Sequence, residues 1–209
     1  ASDVYKRQTL RIALLISDQI RLWFSASIIQ GLNQVFHTAG YDLSIFQISS
    51  SKERSEFFTM LPTRRNADAV VVCSFDVNTD EIAQLKSTGV PIVGINCLYP
   101  QKCDFDATIN IDDDQGARLM ARHLIGLGHR NIAYVRTTRD VSLHFSVLQR
   151  YHSFIDECQN SGITPTEIVA PANSDRISAI VSMLLGSSIM PTAIACQEDG
   201  LSLIHISEP

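Results

Sequence analysis

Short runs of β-branched and other apolar residues alternate along almost the whole chain with longer stretches whose apolar residues recur at helical spacing. This alternation restricts the fold more than any other feature. Residues 11–17 read as a buried strand, and after Asp18 a helical stripe runs through Phe24, Ile28, Leu32 and Phe36 to a stop at Ala39-Gly40. The unit recurs with strands over 42–48, 69–73, 91–95 and 107–111 and helices over 51–65 and 80–88. The uniformly apolar run at 69–73 fits a strand covered on both faces. A helix beginning near 113, which Asp113 or Asp114 can cap, ends at Gly128. A second series follows, with strands at 132–135, 167–170 and 192–196 and helices at 142–160 and 175–185.

Strand, helix and strand in turn, with short loops and right-handed crossovers, predict an α/β fold of two lobes, each a mainly parallel sheet flanked by helices. The longest irregular stretch, 98–106, and the new series behind it place the division near Asp112. The lobes are then 9–112 and 113–200, the second incomplete. Residues 1–8 and 201–209 resemble translated sequencing-adapter sequence and are set aside as non-native tails.

In 209 residues with a formal charge of −5, no basic field is available to hold a phosphate backbone, so nucleic acid is not expected to bind this stretch itself. The five cysteines, Cys73, Cys97, Cys103, Cys158 and Cys196, are scattered and form no Cys-x-x-Cys pair, which fits a reducing cytoplasm. No apolar run reaches the roughly 20 residues of a membrane helix. Gly126-x-Gly128 follows a helix instead of a strand and so is no dinucleotide motif, and neither a Walker lysine nor a Gly-x-Ser-x-Gly elbow occurs. His123 and His129 lack metal-ligand spacing, and the acids at 112–114 suit a helix start better than a metal or acid/base site. No catalytic residue, metal or cofactor is expected.

Ligands of open parallel sheets bind beyond the carboxyl ends of the strands. Asp18, Ser74 and Asn96 stand there in the first lobe, with Trp23 or Phe24 as an aromatic face to stack on a ligand ring. An aromatic at a helix N-terminus reads equally as core or lobe packing, and Asp112 reads as a helix cap or an organiser of the lobe connection.

The segments Gly89-Val90-Pro91-Ile92-Val93-Gly94-Ile95-Asn96, Ile109-Asn110-Ile111-Asp112-Asp113-Asp114-Gln115-Gly116-Ala117 and His123-Leu124-Ile125-Gly126-Leu127-Gly128-His129-Arg130-Asn131-Ile132-Ala133 stand at a set spacing. Taken together, they resemble the central stretch of LacI/GalR transcription regulators. Arg150-Tyr151-His152-Ser153-Phe154 and Pro191-Thr192-Ala193-Ile194-Ala195-Cys196-Gln197-Glu198-Asp199 extend the likeness. The chain departs from the family pattern with Asp113 for Asn, Asn96 for Asp, Ser153 for Gly, Glu198 for Asn, and Arg21-Leu22-Trp23-Phe24 for Asn-Pro-Phe-Phe.

The resemblance implies a periplasmic-binding-protein-like fold that holds a small-molecule effector, a sugar or sugar derivative, between its lobes. Arg150 and Asp199 would be its main polar contacts, a fork of donors and a pair of acceptors suited to adjacent hydroxyls. It also implies a cytoplasmic homodimer, remote from membranes, that meets operator DNA only through an N-terminal helix-turn-helix headpiece missing from this sequence. The alternative is an extracytoplasmic sugar-binding protein of a transporter, which shares the architecture.

Overall fold

The computed structural model describes residues 10–17, 20–48, 50–60, 67–74, 76–97, 104–137, 146–171, 176–197 and 201. The chain divides between Ile111 and Asp112 into two compact units.

The first unit runs β1 (Leu10–Ile16), α1 (Trp23–Thr38), β2 (Tyr41–Gln47), α2 (Ser51–Met60), β3 (Ala69–Cys73), α3 (Thr79–Ser87), β4 (Ile92–Ile95) and β5 (Ala107–Ile109). Its five strands are parallel in the order β2-β1-β3-β4-β5. Side chains alternate across a strand, so the apolar runs of β1 and β3 serve two cores. Ile12, Leu14, Ile16, Val71 and Cys73 face the stripe of α1, Phe24, Ile28, Leu32 and Phe36. Ala13, Leu15, Val70 and Val72 face Phe58 of α2 and Leu85 of α3. Each large side chain wholly buried in this way contributes about 1.5–3 kcal/mol. Asn78 and Glu81 close a capping box at the start of α3, and Arg54 of α2 donates to both Glu81 oxygens at 2.6 and 2.7 Å, tying the two helices together.

The second unit runs α4 (Asp113–Gly126), β6 (Ile132–Thr137), α5 (Ser146–Asn160), β7 (Thr166–Ala170), α6 (Arg176–Leu185) and β8 (Ala193–Cys196). Its three strands are parallel in the order β7-β6-β8. Ile132 and Tyr134 face α4 and α5 through Ala117, Ala121, Phe154 and Cys158. Ala133 and Val135 face the opposite way, toward Ile168, Ala170, Ile180 of α6 and Leu201. Leu201 is buried in this core. Gly128 and Gly162, just past α4 and α5, take φ of +92° and +71°, the left-handed conformation in which glycine ends a helix without strain.

Of the three aspartates that the sequence offers as caps, the helix uses the first. The cap of α4 is Asp112, whose Oδ1 accepts from Gln115 N at 2.9 Å, while Asp113 and Asp114 lie inside the first turn. All three aspartates carry the capping chemistry, and where the first helical turn begins decides among them.

Candidate ligand site

In both sheets the chain leaves the first strand to one side and returns on the other, so strand order reverses between β1 and β3 and again between β6 and β8. At such a switch point the connections leave in opposite directions and open a crevice beyond the carboxyl ends of the strands. Each reversal is bridged by a hydrogen bond between the two strand ends. In the first unit Ser17 Oγ donates to Ser74 O at 3.3 Å. In the second Thr137 N donates to Gln197 Oε1 at 3.0 Å.

Arg150, in the second turn of α5, reaches this second point. Its Nη1 donates to Gln197 O at 3.0 Å, and its Nε lies 3.0 Å from Asp113 Oδ1 as an ion pair without the alignment of a hydrogen bond. Burial pushes the Asp113 carboxyl up from its ordinary value, the Arg150 charge pulls it down, and the neighbouring Asp112 charge raises it again; the burial effect is the largest. Tyr134 stands in the core beside the arginine. Its hydroxyl is buried with no hydrogen-bond partner among the described residues, and burial drives its phenol up to about 12, so it stays protonated.

The helix that carries Arg150 is fixed against α4 by charge. Ser153 Oγ donates to Asp114 Oδ1 at 2.6 Å and accepts from Gln149 Nε2 at 3.2 Å. Arg118 binds both Asp114 oxygens at 3.1 Å, and Arg122 grips Glu157 at 2.7 and 3.1 Å. Hydrogen bonds from Arg118 and Ser153 hold Asp114 below its usual range, and that from Arg122 does the same for Glu157.

Ser74 and Asn96 follow β3 and β4 directly, are buried, and take φ of +64° and +53°, unusual for residues with a side chain. Their amides continue the sheet, Ser74 N donating to Ile95 O at 2.9 Å and Asn96 N to Ile109 O at 2.8 Å. Trp23 opens α1 with 73% of its surface exposed, whereas Phe24 packs into the core under that helix, the second of the two readings its position allowed. Asp18 and Asp199 lie outside the described residues. Sequence reasoning passed over Gln197 and Asp113. Gln197 follows β8 as Ser74 follows β3, so the strand-end rule applied to the second sheet would have found it; Asp113 had no signal beyond its departure from the family's Asn. Among the described residues no group of three His, Cys, Asp or Glu side chains is placed to hold a metal, and no helix is long and apolar enough to cross a membrane.

Residues 9–204 match the family described as periplasmic binding proteins and sugar-binding domain of the LacI family. The chain belongs to that family. Among relatives of this LacI-family chain, the arabinose metabolism transcriptional repressor of Halalkalibacterium halodurans is 24% identical over 97% of the chain and 55% of its own length. The HTH-type transcriptional regulator GalR of Escherichia coli is 28% identical over 97% of the chain and 58% of its own length. The chain therefore spans a little over half the length of these curated relatives. Among solved structures, a putative LacI transcriptional regulator from Bacillus cereus subsp. cytotoxis superposes with a TM-score of 0.77 at 22% identity, covering 95% of this chain and 72% of that one. A LacI-family regulator from Lactobacillus casei with bound sucrose gives 0.76 at 21% identity, covering 94% and 74%. These likenesses establish the two-unit α/β fold with parallel sheets.

Proposed function

We propose that the chain is the effector-sensing part of a LacI/GalR-type transcription regulator, that its ligand is a sugar or sugar derivative, and that Arg150 is the main polar contact. The observation that carries the reading is the anchoring of Arg150 at the second switch point, with one guanidinium nitrogen on the Gln197 carbonyl and another beside Asp113. Asp18, Trp23, Ser74 and Asn96 of the first unit, and Asp199 of the second, are proposed as further contacts. Operator DNA is assigned to a helix-turn-helix headpiece outside these residues, working in a homodimer, so that effector binding biases how two headpieces meet two half-sites. The relatives named above are transcription regulators, which favours this reading over a transporter component and over an enzyme.

Calorimetric titration with a panel of neutral mono- and disaccharides tests it. At least one should bind, and Arg150→Ala should weaken that sugar by about 10- to 100-fold, the worth of a hydrogen bond from a charged donor. Binding of a sugar that is indifferent to Arg150→Ala would overturn the assignment of the site.

A further inference from the structure

Arg150 carries its charge into a surrounding that is already negative. Asp113, with only 11% of its side chain exposed, lies 3.0 Å from Arg150 Nε, and Asp112 adds a second carboxylate close enough to raise the Asp113 pKa. Among the described residues no spare arginine of the α4–α5 pair offsets them, because Arg118 is engaged with Asp114 and Glu157, and Arg122 with Glu157. Nη1 is committed to the Gln197 carbonyl, and Nε lies against Asp113.

We propose that Asp113 sets the charge class of ligand that Arg150 accepts, admitting uncharged, hydroxyl-rich molecules and turning away their phosphorylated counterparts. The inference rests on the reading of Arg150 as a ligand contact. A hydroxyl group uses both members of the pair, accepting from the guanidinium and donating to a carboxylate. A phosphate uses only the first and is repelled by the second. An anion placed about 4 Å from the guanidinium sits about 6 Å from the carboxylate, and at an effective dielectric near 20 the repulsion cancels most of the attraction, an effect of about 10- to 100-fold on affinity. Asp113 is also where this chain departs from the Asn of the family pattern, a side chain of the same shape without the charge.

The test compares the 209-residue chain with its Asp113→Asn and Asp113→Glu variants, each first checked for an unchanged circular dichroism spectrum and unfolding midpoint. Inorganic phosphate is the first probe, titrated by calorimetry at low ionic strength. Asp113→Asn should bind phosphate at least about tenfold more tightly than the unaltered chain, Asp113→Glu should not, and adding Arg150→Ala should erase the gain. Equal phosphate affinity in all three chains would overturn the proposal. Glucose and glucose 6-phosphate form the second arm. The unaltered chain should prefer glucose, and Asp113→Asn should narrow or reverse that preference; an unaltered chain that binds glucose 6-phosphate as tightly as glucose would also overturn it. If neither glucose nor its phosphate ester nor any sugar of the panel binds but the phosphate arm behaves as stated, the carbohydrate reading fails and the charge filter stands.

Discussion

The first and second units reverse strand order at corresponding places, yet they hold the residues at those places by different means. In the first, Ser74 and Asn96 turn out of β3 and β4 through left-handed backbone, and their amides pair with the neighbouring strands. In the second, Gln197 leaves β8 with no such turn among the described positive-φ residues, and its own atoms do the fastening: the amide on Val135 O at 2.9 Å, the side-chain oxygen on Thr137 N, and the carbonyl on Arg150. One strand end is shaped by strained backbone that the sheet over-determines, the other by polar ties that span 47 and 60 residues of sequence. Substitutions at equivalent positions should therefore act in opposite directions.

The largest effect tests whether the units have separate cores at all. Phe154 is wholly buried between α5 and β6. Phe154→Ala should cost about 3–5 kcal/mol of the second unit's stability. Limited proteolysis should then cut the chain beyond residue 112 while leaving the first unit intact; simultaneous loss of both would show one cooperative body where two are described.

A smaller effect addresses the strand ends directly. Ser74→Gly removes the cost of a left-handed residue with a side chain and should raise the unfolding midpoint by the equivalent of about 1 kcal/mol. Gln197→Ala strands the Thr137 amide, buried with its residue, and should cost about 1–3 kcal/mol. Urea denaturation of the two variants should give changes of opposite sign, and changes of the same sign would remove the contrast.

The smallest effect is confined to the second unit and appears with pH. Asp114 and Glu157 are held below ordinary values of 3.8 and 4.5, so the stability they supply is present above those values and is lost as pH falls through the lowered ones. Asp113 works in reverse. Its carboxyl is raised above 3.8, so the folded state binds the proton more tightly, and that contribution is present below 3.8 and fades as pH rises through the raised value. Urea midpoints measured across the acid range should therefore fall less steeply in Arg122→Gln, and Asp113→Asn should lose the part of the slope that lies above pH 3.8.

Much of the fold is legible in the order of the residues. The run at 69–73 forms a strand with the expected ends because five consecutive apolar residues fit a sheet buried on both faces, and glycines at 128 and 162 mark helix ends by the conformation only they take without strain. The choice between Trp23 and Phe24 is also open to reasoning: neighbours on a helix lie about 100° apart, and Phe24 begins the stripe continued by Ile28 and Leu32, so Trp23 has to face away. The cap of α4 is not legible, since three successive aspartates offer the same chemistry. Nor are the Arg150 contacts. Local patterning carries no information about which carbonyl, 47 residues on, will lie under a guanidinium, and the position stands out only through the family resemblance.

The carbonyl that receives Arg150 belongs to the main chain, and this has a bearing on how such a site changes over generations. Any amino acid at position 197 presents the same acceptor, so mutation there cannot delete the arginine's anchor, only loosen the strand end behind it. The residue that sets the charge beside the arginine, Asp113, acts through its side chain and can be exchanged by itself. The arginine's anchor can thus stay in place while the charge beside it changes.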